Sequence, residues 1–119
     1  MKEEKFKVIN FIRNFIVQTD KELMNFPKKD MEIKNQIRTL SYELLEICYE
    51  ANATMSLEHR IRLLEKCIAK VKVIDFLINL SYDKQIISNK KYIKLGLIMD
   101  DIIKYISGWL NKNIQETKA

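Results

Sequence analysis

The order of apolar and polar residues divides the chain into four stretches with a helical period. In the first, Ile9, Ile12, Ile16 and Leu23 recur at three- or four-residue multiples, and Phe11 and Phe15 widen the stripe. This predicts a helix from about residue 4 to 24. The segment "NFPKKD" breaks it, because Pro27 disfavours helical geometry at Phe26. Asp30 can cap a second helix over 30–51, in which Ile33, Ile37, Leu40, Leu44, Cys48 and Ala51 climb in steps of three and four.

"ANAT" closes the second helix and turns the chain. Ser56 is an expected N-cap for a third helix over 57–80, since its hydroxyl can accept from an otherwise unpaired backbone N–H. Leu57, Ile61, Leu64, Ile68, Val71 and Ile78 share one face of it. After "SYDKQIISNKK", Ser88 or Asn89 caps a fourth helix over 89–112, where Tyr92, Leu95, Met99, Ile102, Ile106 and Trp109 repeat. Residues 113–119 are expected to fray. Short connections force consecutive long helices to run antiparallel, so the expected fold is a single all-α domain over 1–119, an up-down-up-down four-helix bundle.

Composition strengthens that expectation. Two glycines and one proline in 119 residues are too few turn-formers for a β-rich domain. Hydrophobic residues make up 47% and charged residues 31%, a globular balance rather than a disordered or membrane one. The N-terminal "MKEEKFKVINFIRNFIV" does not read as a secretory signal, because Asn10, Arg13 and Asn14 interrupt its apolar run. Nowhere do about 18 uninterrupted apolar residues occur, so no membrane span is expected and a cytoplasmic location follows. Cys48 and Cys67 both fall at apolar helical positions, which predicts small, buried, reduced thiols.

The two glycines, Gly96 and Gly108, both interrupt the fourth helical pattern, and Gly108 directly precedes Trp109, the only tryptophan. A helix-interior glycine costs about 1 kcal/mol relative to alanine, so something must come close to the backbone. Gly96 aligns with Ile103 and Leu110 on the flank of the apolar stripe. There it either relieves crowding inside the bundle or admits another chain. Gly108 shares a face with Asp101 and Lys104, and it leaves a bare surface beside Trp109. Gly96, Gly108 and Trp109 are therefore the candidate oligomer interface.

The stretch "KKYIKLGLIMDDIIKYISGWL" resembles the last helix of the accessory variability determinant proteins of diversity-generating retroelements. Its signature runs roughly Tyr, a Leu-Gly-like pair, Leu/Met-Asp-Glu, then Gly-Gly-Trp. "NFPKKD" is similar to the Phe-Pro-Lys element after that family's first helix, "IRTLSYELLEICYEAN" to its second helix, and "LLEKCIAKVKVIDFLINLSYDKQIIS" to its third helix and the following loop. The match spans residues about 20–112 in order. It departs at Ser107, where the family has the first glycine of Gly-Gly-Trp, and at Asp101, where glutamate is common. A related set of four-helix bundles is encoded within intervening sequences of 23S ribosomal RNA genes. The resemblance implies a ring-like homopentamer, a basic surface for RNA or DNA, and a partner reverse transcriptase.

Catalytic and metal chemistry find little material. His59 is the only histidine, which excludes any multi-histidine metal site within one chain. The Glu-x-x-His motifs of a di-iron bundle do not occur, and neither does a glycine-rich phosphate loop. A non-enzymatic protein without metal or cofactor is expected. The net charge of +5 is concentrated late in the chain: residues 81–119 carry seven basic and four acidic groups. Arg62, Lys66 and Lys70 fall four apart on the third helix with Arg60 nearby, and Lys90, Lys91 and Lys94 open the fourth. A row of cations at helical spacing can follow a phosphate backbone without reading base sequence. The same residues can equally form a solvated face. A protein–protein assembly module, or an orphan bundle without a nucleic-acid role, is the alternative function.

Overall fold

The computed structural model describes residues 2–118, with side chains from Lys7 onward. Four α-helices account for nearly all of it: α1 (Lys2–Glu22), α2 (Met31–Ala53), α3 (Leu57–Asp83) and α4 (Asn89–Lys118), with one 3-10 turn at Lys28–Asp30. Each helix packs on two others: α1 on α2 and α4, α3 on α2 and α4. Among the described residues, neither diagonal pair brings its backbones close, so the helices sit at the corners of a square around one core, and the whole is about 50 Å long and 20–22 Å across.

On α1, α2 and α4 the expected stripe packs into or against the core, whereas on α3 the buried face is rotated: Leu63, Cys67 and Ile74 join Leu64, Val71 and Ile78, while Leu57, Ile61 and Ile68 are only half-buried. Ile12 and Phe15 from α1, Ile37 and Leu44 from α2, Leu64 and Ile74 from α3, and Ile102 and Ile106 from α4 are wholly buried. Fully burying such a side chain is worth about 1.5–3 kcal/mol relative to leaving it in water. Two further core residues come from the connections, Phe26 and Ile87, which cover one end of the core, where the α1–α2 and α3–α4 connections lie side by side. Three of the buried polar residues bond to a carbonyl of their own helix. Ser41 Oγ donates to the Ile37 carbonyl at 2.6 Å, Ser81 to Leu77 at 2.8 Å, and Asn113 Nδ2 to Trp109 at 2.7 Å.

The helix starts follow the capping expectation in two cases and depart in one. Ser56 Oγ accepts from the His59 N–H at 3.1 Å, and Ser88 Oγ accepts from the Lys91 N–H at 3.2 Å. Asp30 makes no side-chain cap; its buried carboxylate instead lies 3.3 Å from Lys84 Nζ. Pairing with a cation satisfies that carboxylate better than a single N–H would.

The expected frayed tail is a correction. α4 continues to Lys118, and Asn113 is completely buried in it. Its amide oxygen accepts from Arg60 of α3, so tertiary contact extends the helix beyond the last apolar residue of the ladder.

Candidate functional site

Seven cations were expected to make one basic surface, and the structure separates them into two groups. Arg60 points inward. Its Nε donates to the Ala51 carbonyl at 2.8 Å, one Nη to the Thr54 carbonyl at 2.5 Å, and the other to Asn113 Oδ1 at 3.2 Å. The last carbonyls of α2 have no partner within their own helix, and a guanidinium is the side chain that can reach several of them at once. Its donors are therefore engaged by the fold and not presented to a phosphate.

Lys70 is also engaged. Its Nζ sits 3.0 Å from Glu43 Oε1 of α2, and the side chain is only 21% exposed. The row Arg62–Lys66–Lys70 thus does not run opposite the apolar stripe. It descends into the seam between α3 and α2, where Lys66 and Lys70 line a cleft of about 240 Å³ with Glu43, Glu46 and Glu50. At the far end of this seam, Glu50 Oε2 lies 3.1 Å from His59 Nε2.

On α4, Lys91 Nζ donates to the Glu22 main-chain carbonyl at 3.0 Å, and Lys94 Nζ pairs with the Glu22 carboxylate at 2.9 Å. Both lysines hold the end of α1 to the start of α4, a favourable place for cations beside a helix C-terminus. The hydrogen bond from Lys94 holds the Glu22 carboxyl below its ordinary range, with the charges of Lys94, Lys91 and Lys21 adding to it against partial burial. Arg62, Lys66 and Lys90 remain exposed and carry no ion pair among the described residues.

The small-residue surface is rearranged as well. Trp109 is a core residue, 2% exposed, and so leaves the candidate interface. Its position in the ladder with Ile102 and Ile106 decides this, whatever the glycine before it. Gly108 is half-buried within α4. At Gly96 a Cβ would meet no atom within 4 Å, so the glycine relieves no crowding inside the chain. It forms part of an open groove of about 350 Å³ between α3 and α4, lined also by Asp75, Asn79, Ile93, Leu97 and Asp100.

That groove has a mixed lining, in which Ile93 and Leu97 stand beside Asp75, Asn79 and Asp100. Ile93 is 52% exposed and Leu97 60%, and on α3 the side chain of Phe76 is 60% exposed. Sequence periodicity overlooked these residues because each lies off the main stripe of its helix. The available signal was their excess: α3 and α4 carry more large apolar residues than one core-facing stripe can hold. Asp75 and Asp100, in the same groove, have no ion-pair partner among the described residues.

Among the described residues, no three His, Cys, Asp or Glu side chains converge as metal ligands, and no helix is long and apolar enough to cross a membrane. No family model, curated protein or solved structure matches the chain.

Proposed function

We propose that the chain is a non-enzymatic accessory subunit whose helices run up, down, up and down. It assembles in the cytoplasm into a ring-like homopentamer that holds RNA or DNA by backbone phosphates beside a partner reverse transcriptase. The family resemblance of the sequence suggests this role. The observation that carries it furthest is the groove over Gly96, open on its floor and walled by Ile93 and Leu97 with Phe76 exposed on the neighbouring helix. Apolar side chains grouped around a backbone without bulk favour packing against another chain.

For nucleic acid the support is narrower. Of the seven candidate cations, three, Arg62, Lys66 and Lys90, are exposed and unengaged by the fold among the described residues. Repetition around a ring multiplies such weak contacts through effective concentration. A second reading, an assembly module without a nucleic-acid role, is favoured by the diversion of Arg60, Lys70, Lys91 and Lys94 into intramolecular bonds. The carboxylates of Glu43, Glu46 and Glu50 around Lys66 favour it too, since they repel phosphate.

Light scattering after gel filtration tests the shared part of both readings. A concentration-independent mass near the 14.2 kDa of one chain would overturn assembly. Titration of labelled RNA at two salt concentrations separates the two, because only the accessory subunit requires binding.

A further inference from the structure

Cys48 of α2 and Cys67 of α3 meet in the centre of the bundle. Both are completely buried, and their Sγ atoms are 3.6 Å apart, in thiol–thiol hydrogen-bond contact. Two free cysteines opposing each other across two helices are not needed to fill a core, because an Ala–Leu or Val–Ala pair occupies similar space. Neither thiol touches the basic seam or the Gly96 groove, so no part of the proposed function accounts for them.

We infer that this pair is a shielded redox-modification site, in which a disulfide-class oxidant converts the two thiols into an intramolecular bond joining α2 to α3. The bond requires the sulfurs to close from 3.6 Å to about 2.05 Å. The sulfurs must therefore approach by about 1.5 Å, through side-chain rotation and approach of the helices. The chemistry proceeds in two exchanges. One cysteine, after losing its proton to solvent, attacks a sulfur of oxidised glutathione and expels one glutathione thiolate. The second cysteine then attacks the protein sulfur of that mixed disulfide and expels the other. Two cysteines lose two electrons, one glutathione disulfide gains them, and the two protons end on the glutathione thiols.

Shielding governs when this happens. The hydrogen bond to Cys67, with burial adding to it, pushes the Cys48 thiol well above its ordinary value. Only thiolates attack disulfides, and glutathione cannot enter the core, so α2 and α3 must part before the reaction starts. Reaction therefore reports opening of that helix pair. Once formed, the bond closes a loop between positions 19 apart and restricts the unfolded chain. A subunit oxidised during transient opening is consequently more stable in the folded form until it is reduced.

The test uses the wild-type chain with oxidised glutathione, with and without a urea concentration below the unfolding midpoint. Expected is a product two mass units lighter than the reduced chain, monomeric in non-reducing denaturing gels, forming ~100-fold more slowly without urea than with it. Its helical signal should match the reduced chain, and its unfolding midpoint should rise. Cys48→Ser and Cys67→Ser should each stop at a stable single-glutathione adduct, because no second thiol is present to resolve it. Accumulation of mixed disulfides on the wild-type chain, or of disulfide-linked dimers, would overturn the inference. So would a wild-type chain that keeps both thiols under both conditions, or an oxidised product that has lost its helices.

Discussion

Arg60 Nη1 lies 3.2 Å from Asn113 Oδ1, and this hydrogen bond ties the first turn of α3 to the last part of α4. The same guanidinium holds the Ala51 and Thr54 carbonyls, so three segments meet at one side chain. Replacing it strands two main-chain acceptors and a buried amide oxygen. Arg60→Met should therefore lower stability by about 2–4 kcal/mol, with Arg60→Lys recovering only part, because an ammonium cannot span the fork. Urea denaturation of the two variants measures this. A loss below about 0.5 kcal/mol in Arg60→Met would mean that the clamp contributes nothing beyond an ordinary surface residue.

The helical pattern was legible because burial on α1, α2 and α4 follows the 3-4 ladder; on α3 apolar residues occupy more than one face, and the buried face includes Leu63, Cys67 and Ile74 in place of Leu57, Ile61 and Ile68. Trp109 continues that ladder from Ile106 and is buried, as Leu44 and Leu64 are in theirs. The ends were less legible. Asn113 and Arg60 are polar residues made structural by a contact across 53 positions, and no local pattern announces such a partner. The same holds for Lys70 with Glu43 and Lys94 with Glu22. A cation spaced for phosphate looks identical in sequence to one spaced for a carboxylate on the adjoining helix. Gly96 was read for its missing side chain, but whether the space was filled depended on where α3 runs.

Glu22 gives a dependence on acidity. Its carboxyl is held below the ordinary glutamate value, first by the hydrogen bond from Lys94. A depressed folded value means that the unfolded chain binds the proton first as pH falls. The contribution is therefore present above about pH 4.3, the ordinary glutamate value, and is lost as pH drops through the lowered folded value. Lys94→Met should flatten this part of the acid-unfolding profile, with only a small loss of stability near neutrality, since solvent screens such a surface pair. Thermal unfolding across pH 2 to 6 in both proteins checks the sign. An unchanged acid limb in Lys94→Met would show that Glu22 owes its behaviour to another partner.

Gly96 separates the needs of one chain from those of an assembly. With no atom near a new Cβ, Gly96→Ala meets no clash and gains helix propensity, up to about 1 kcal/mol. The isolated subunit should therefore unfold at higher denaturant. Gly96→Leu should keep the fold but fill the groove between Ile93 and Leu97, so the assembled mass should fall toward that of one chain. Denaturation and light scattering on the same two variants give both readings. If Gly96→Leu assembles as wild type does, the groove is not the interface.

The nucleic-acid reading depends on the cations that the fold leaves unengaged. Arg62, Lys66 and Lys90 are the informative set; Lys70 is not, because Lys70→Glu would set a second carboxylate against Glu43 and damage the seam itself. Each phosphate neutralised releases condensed counterions, so binding to single-stranded RNA should fall with salt at a slope of about −0.7 per contact. If five subunits contribute, as the proposed ring requires, even one contact each makes that slope steep. Sequence of the RNA should matter little, since the exposed groups are single cations without paired donors for a base edge. Combining Arg62→Glu, Lys66→Glu and Lys90→Glu should weaken binding at low salt and flatten the slope, while helical content stays the same because all three side chains are exposed. Fluorescence anisotropy of labelled RNA, wild type against the triple variant at two salt concentrations, measures both effects. Wild type that fails to bind at low salt leaves the assembly module as the function. Binding with a slope unaltered by the triple variant moves the phosphate contacts to other lysines, and Lys28, Lys29 and Lys72, exposed and unpaired among the described residues, are then the next to reverse.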